Sequence, residues 1–257
     1  MAAELTIPFA MMQSFLFVLM RIAGAVAFVP LPAIRNAPII VRISLALALT
    51  FALLPFWPVP VDNDLTLGKL VLWSMSEAAL GMSAGLVVTF LLEIFQMAAQ
   101  LIALQAGFSY ASTIDPTSQA DSSVLQVLGQ LIGALLFLTF GLDRMIFAVF
   151  ARSLETYPPG TFVLTLSSAE AIIRLGSNIF TTGLRLALPV LALMLLIDLV
   201  LALLSRVNAQ LQLLSLAFPL KVLAALATLA ALTSLFPSVF RETADRSIVA
   251  LAWIAGQ

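Results

Sequence analysis

Residues 107–123 read GFSYASTIDPTSQADSS. They hold five serines, two threonines, Asp115, Asp121 and an Asp115-Pro116 step, in a chain whose other long segments are apolar enough for a bilayer. Backbone that leaves its helix in hydrocarbon loses hydrogen bonds at a cost of several kcal/mol per group. Irregular segments therefore persist there only against protein or water. The stretch is either a loop outside the membrane or a structured insert lining a protected cavity, and the function turns on which of the two it is.

The surrounding chain sets the context. Of 257 residues, 62% are hydrophobic and 10% charged, and the mean hydropathy is +1.12. Soluble domains are about one-quarter charged, so this is a membrane-protein composition. No polar run is long enough to build a separate aqueous core. Cysteine and histidine are both absent, which removes disulfides, thiol chemistry, imidazole acid–base catalysis and the usual zinc sites. No catalytic, cofactor-binding or metal-binding residue is expected. A net charge of −1 offers nothing to nucleic acid. Residues 5–29 lack the basic flank and small-residue cleavage site of a leader, so they read as a retained first helix.

About 20 apolar residues span a bilayer as a helix. The first run, Leu5 to Val29, is interrupted only by Gln13 and Arg21. A connector over Pro30–Arg42 with three prolines leads to a second run, Ile43 to Trp57, closed by PFWPVP. Asp64 is placed to cap the next helix. The third run, Leu67 to Ala106, is far longer than one span and predicts a long helix or a kinked pair. After the polar stretch, Val124 to Leu142 predicts a helix that Met145–Ala151 extends, ended by Tyr157-Pro158-Pro159-Gly160. Residues 162–174 read as amphipathic or irregular. Two long runs, Ser177–Leu204 and Leu211–Pro237, joined by SRVNAQ, predict an antiparallel hairpin with kinks at Pro189 and Pro219. Residues 240–257 read as a weakly amphipathic tail helix. The fold class is therefore all-α: a multi-helix integral membrane subunit with a central polar stretch and a C-terminal helical hairpin.

Basic residues fall on successive connectors that should alternate sides, so the positive-inside signal cancels. Some apparent spans are thus expected to be buried protein against protein. GMSAG at 81–85 matches the Gly-x-Ser-x-Gly of serine hydrolases, but that motif needs a strand–turn–helix setting and a histidine base. Gly81 and Gly85, and Gly129 and Gly133 at the same spacing, read instead as small residues that let helices approach. The ionisable groups inside apolar runs are Arg21, Glu77, Glu93, Arg185, Asp198 and Lys221. Each would cost roughly 2–3 kcal/mol alone in lipid, so all should face protein, a cavity or an interface, with structural pairing preferred. Glu77 and Glu93 lie 16 residues apart, about 160° round an ideal helix, and do not form one site.

Four places resemble the FliR/SctT family of flagellar and type III secretion export-gate subunits. They are Arg21-Ile-Ala-Gly24 running on to Pro30, Pro38, Arg42 and Pro55; GFSYASTIDP at 107–116; FLTFGLDRMIFAVFARSLETYPPG at 137–160; and LPVLALMLLIDLVLALLSRVNAQLQLLSLAFPLK at 188–221. The resemblance implies a FliP-like part over 1–175 and a FliQ-like hairpin and tail over 176–257. It also implies assembly with FliP-like, FliQ-like and FlhB-like subunits in the bacterial inner membrane, at the flagellar basal body, for export of unfolded proteins. Residues 107–123 would be the channel plug, with Gly107, Phe108, Tyr110, Ile114, Asp115 and Pro116 as its functional positions. Arg21, Glu77, Arg185, Asp198 and Lys221 would be interface charges. The alternatives are a virulence secretion subunit or a secondary transporter, although no internal repeat supports the latter.

Overall fold

A computed structural model describes residues 9–28, 37–58, 66–108, 124–159, 161–162, 166–207 and 213–254. Among them there is no strand. The α-helices are α1 (Phe9–Phe28), α2 (Ile39–Ala52), α3 (Leu67–Ala106), α4 (Val124–Thr139), α5 (Leu142–Thr156), α6 (Leu166–Val207), α7 (Leu213–Leu232) and α8 (Phe236–Ile254). Four stretches of the described residues are long and apolar enough to cross a membrane: Ala10–Phe28, Leu67–Ala106, Leu166–Arg206 and Ala217–Trp253. The protein is an all-α membrane protein.

The long third run is one helix of 40 residues, about 60 Å at 1.5 Å per residue and twice the thickness of a hydrocarbon core. Several boundaries differ from the sequence reading. Helix α2 starts at Ile39, directly after Pro38, because proline pre-sets the entry and IIVR contains no breaker. It ends at Ala52 and passes into a 3₁₀ turn over Leu54–Phe56 that carries Pro55. Residues 166–174 are not irregular: α6 runs unbroken through them for 42 residues, with Pro189 inside it. The expected continuation past Leu142 is interrupted. Gly141 takes a left-handed conformation, φ +66°, which ends α4 and starts α5 afresh. A 3₁₀ turn at Thr233–Leu235 separates α7 from α8, whose first turn holds Pro237. The proposed cap at Asp64 and the SRVNAQ connection beyond Val207 lie outside the described residues.

The chain forms two compact units. The first contains Met1–Phe90, Leu138–Leu175 and Ala244–Gln257; the second contains Leu91–Phe137 and Gly176–Thr243. The units are interleaved along the sequence, and α3, α4, α6 and α8 each contribute to both.

In the first unit, Val18, Ile22, Ala25 and Val26 recur at helical spacing on α1 and pack with residues of α2, α3, α5 and α8 in one apolar cluster. Helices α1 and α3 meet backbone to backbone. A Cβ at Gly24 would lie 2.5 Å from the Ala78 carbonyl oxygen, and one at Gly85 would lie 2.6 Å from that of Ala25. At Gly81 it would overlap the Arg21 carbonyl itself. Arg21 lies on the same core stripe as Val18 and Ala25 and is fully buried. Gly81 comes one turn after Glu77, so the approach that seats Arg21 against Gly81 also brings its side chain to Glu77.

The guanidinium is satisfied on three sides. Its Nε donates to Glu77 Oε2 at 2.5 Å, Nη1 to Ser153 Oγ at 3.0 Å and Nη2 to the Tyr157 carbonyl at 2.9 Å. Ser153 in turn donates to the Phe150 carbonyl. One side chain thus ties α1, α3 and the C-terminal end of α5, and its positive charge faces a helix terminus where backbone carbonyls lack donors.

In the second unit, an apolar cluster takes Ala98, Ile102, Ala103 and Ala106 from α3, Leu125 from α4, Ala187, Val190 and Met194 from α6, and Ala225 from α7. The many alanines let these helices approach closely. Gly129 of α4 is needed for the same reason, since a Cβ there would sit 2.6 Å from Ala99 Cβ. Gly133 is less constrained, its nearest neighbour being 3.5 Å away. A cavity of about 30 Å³ lies between Phe95, Ile102, Leu125, Gly129 and Phe236. It has room for one water, but its apolar side chains give that water no partners.

Thermal unfolding in detergent checks this packing. Gly81→Ala overpacks the α1–α3 contact and lowers stability by about 1–3 kcal/mol. Gly68→Ala, with nothing within 4 Å of the added methyl, leaves stability unchanged or raises it by up to about 1 kcal/mol. Arg21→Met takes the countercharge from Glu77 and costs about 3–5 kcal/mol, whereas Arg21→Met with Glu77→Met regains much of that loss.

Candidate functional site

The polar stretch begins at the C-terminus of α3. Gly107 has φ +86°, its N–H donates to the Leu104 carbonyl at 3.3 Å, and the Phe108 N–H donates to the Ala103 carbonyl at 2.9 Å. This pair of bonds is the Schellman cap, in which a left-handed glycine lets the chain turn back to satisfy the last carbonyls of the helix. The hydrophobic contact that accompanies such caps is present, because Phe108 packs on the cluster that contains Ala103. On the other side, Gly107 lies against the Phe218 ring of α7, where a Cβ would come within 3.3 Å.

The stretch re-enters the described structure at α4. Leu125, in the first turn of that helix, is buried in the same cluster that receives Phe108. Both flanks of the stretch are therefore held by one apolar core built from α3, α4, α6 and α7. Tyr110, Ile114, Asp115 and Pro116 lie outside the described residues.

A polar group sits beside this entry point. Asp198, midway along the apolar part of α6, takes the Lys221 ammonium of α7 at 2.5 Å on Oδ1. Its other oxygen, Oδ2, accepts from Gln105 Nε2 at 3.3 Å. Gln105 lies two residues before Gly107, and Lys221 one turn after Phe218.

The charges named from the sequence are thus placed differently. Arg21 with Glu77 and Asp198 with Lys221 form ion pairs within the chain. Arg185 is exposed on α6. Glu77 and Glu93 fall in different units. Ser83, the serine of GMSAG, is buried within α3 and donates to the Leu80 carbonyl at 2.7 Å, so it is a helical residue bonded to its own backbone and not a strand–helix elbow. The sequence reading did not single out Ser153, Gln105 or Phe218. Gln105 lies outside the four family-like stretches and Ser153 inside one without being distinguished there, so only their contacts reveal them.

The sequence matches the family described as bacterial export proteins, family 1, over residues 12–247. It is 30% identical to the flagellar biosynthetic protein FliR of Escherichia coli K12, across 88% of this chain and 90% of that protein. The protein of the same name from Pectobacterium carotovorum is 30% identical across 77% of this chain and 75% of its own length. That of Aquifex aeolicus is 29% identical across 72% and 71%. The family match takes in α2 to α7 entire, most of α1 and more than half of α8, including both flanks of the polar stretch and both ion pairs. The chain belongs to the bacterial export proteins, family 1.

Proposed function

We propose that the protein is a channel-forming subunit of the flagellar protein-export gate, with residues 107–123 as the segment that seals the pore. One observation carries this reading: the most polar stretch of an apolar chain starts and ends on a single core. Its N-terminal flank is anchored by the Gly107 cap and Phe108, and its C-terminal flank by Leu125. A segment held at both ends by helices of membrane-spanning character meets the requirement that irregular backbone at membrane depth be supported by protein or water. Gly107 and Phe108 are its seated base, and Tyr110, Ile114, Asp115 and Pro116 would make its contacts within the pore.

Assembly with further subunits is supported by surface. Only 17% of the most apolar window of α6, and 11% of that of α7–α8, is buried within the chain, against 61% for α3. A helix of that character must be covered by lipid or by other apolar helices. The family resemblance supplies the partners: FliP-like and FliQ-like subunits around the pore, with a FlhB-like subunit, in the inner membrane at the flagellar basal body. In this reading residues 1–175 correspond to a FliP-like part and 176–257 to a FliQ-like hairpin. Arg185 would meet a neighbouring subunit. The flagellar names of the relatives favour a flagellar system over a virulence one.

Removal of residues 109–118 tests the reading. The expected result is passage of small ions across the inner membrane, with the complex still assembled with its FliP-like and FliQ-like partners. A tight membrane together with unchanged export eliminates the plug. Purification of the chain without partners, as for a transporter acting alone, eliminates the gate.

A further inference from the structure

An apolar cluster drawn from α3, α4, α6 and α7 forms the core of the second unit. Where α6 crosses α3 and α7 through Ala187, Val190, Met194 and Ala225, no polar group is needed to join the helices. A polar tie between the same helices falls at the level of the last turn of α3. There Asp198 bridges two helices at once, binding Lys221 of α7 through one oxygen and Gln105 of α3 through the other. A carboxylate on a helix whose most apolar 18-residue window has a mean hydropathy of 2.7 is costly, and an alanine or leucine at 198 would join the same helices at no such cost. What the acid adds is direction. Both its oxygens are committed, so α3 is held at one rotational and axial setting relative to α6 and α7, which the interchangeable alanine contacts do not specify.

That setting governs how the chain leaves α3. Gly107 exits the helix through a left-handed turn whose direction depends on the orientation of the last turn, and it must clear the Phe218 ring at van der Waals distance. Rotation of α3 by one residue, about 100°, would carry Gly107 and Phe108 off the cluster.

From this we infer that Gln105, Asp198 and Lys221 are positioning residues that lock the end of α3 onto α6 and α7, and so fix where the polar stretch departs. The inference rests on the plug reading given above. With Asp198 at 43% side-chain exposure and Lys221 at 19%, the group is also close enough to the surface to be exchanged without filling a closed core.

The test uses the full complex in inverted membrane vesicles, with ion leak, export and recovery of the assembled subunits measured on the same preparations. Asp198→Asn and Lys221→Met each remove a charge-assisted bond, an effect that shifts a two-state equilibrium by about tenfold or more. Each is expected to raise ion leak while partner recovery stays at the wild-type level. Lys221→Arg keeps the charge opposite Asp198 and leaves the Gln105 bond in place, so it is expected to preserve tightness. Gln105→Leu cuts the bond to α3 and leaves the ion pair intact, so it is expected to leak even if the charge variants fail to assemble.

Tight membranes in Asp198→Asn and Gln105→Leu overturn the inference. Leak that merely tracks loss of assembled complex, or that appears in an assembled Lys221→Arg variant, overturns it as well. The deletion of 109–118 separates the two levels. If the deletion leaks and these variants do not, only the lock fails; if the deletion itself is tight, the plug reading fails and the lock with it.

Discussion

Arg21 cannot reach water and cannot be left alone. It lies on the inward stripe of α1, between Val18 and Ala25, so the same periodicity that builds the core also buries the guanidinium. Once buried, it must find a carboxylate and further acceptors. Glu77 on α3, Ser153 on α5 and the Tyr157 carbonyl at the end of α5 provide them. The first unit is arranged round that demand. Gly24, Gly81 and Gly85 are small because α1 and α3 must approach closely enough for the pair to form, and α5 must end where its last carbonyl can accept. A buried ion pair is weak evidence of added stability, but it discriminates strongly among packings: a register shift of one residue on either helix would part the two charges.

The second unit solves a different problem. Its core is rich in alanine, with Ala98, Ala103, Ala106, Ala187 and Ala225 beside Ile102, Leu125, Val190 and Met194, and such small contacts specify rotation less sharply than a directed polar bond. Polar contacts appear at the end of α3, next to the residues from which the polar stretch departs. The two units therefore place their charges for different ends. In the first, the pair holds three helices of a core together. In the second, the group sits at the rim of a core, beside an αL glycine and an aromatic ring, where orientation of the outgoing chain is at stake.

Length and exposure connect these features to protein export. Helices of 40 and 42 residues exceed what a bilayer requires, and the outward faces of α6 to α8 remain apolar over most of their length. Among the described residues, 17% of the α6 window and 11% of the α7–α8 window are buried. In the gate proposed above, helices of neighbouring subunits would cover this surface, and segments buried between subunits would not be ordered by the rule that governs insertion of isolated spans, in keeping with connector charges that give no consistent topology.

Much of this was legible in the residues. Hydropathy and length established helices and membrane character, Gly-x-x-x-Gly spacing marked Gly81, Gly85 and Gly129 as contact positions, and absence of cysteine and histidine excluded whole classes of chemistry. These are local properties, set by composition and period. Three features were not legible: the start of α2 after Pro38 and the break at Gly141, each of which depends on one residue's backbone state, and the continuity of α6 through 166–174, where the local pattern admits helix or irregular chain. The partners were not legible at all. Arg21 and Glu77 are 56 residues apart, and Asp198 reaches Gln105 across 93. Sequence alone determined that each charge needed a partner, because hydrocarbon does not solvate it. Only the tertiary structure decided which one, because pairing depends on where distant helices cross.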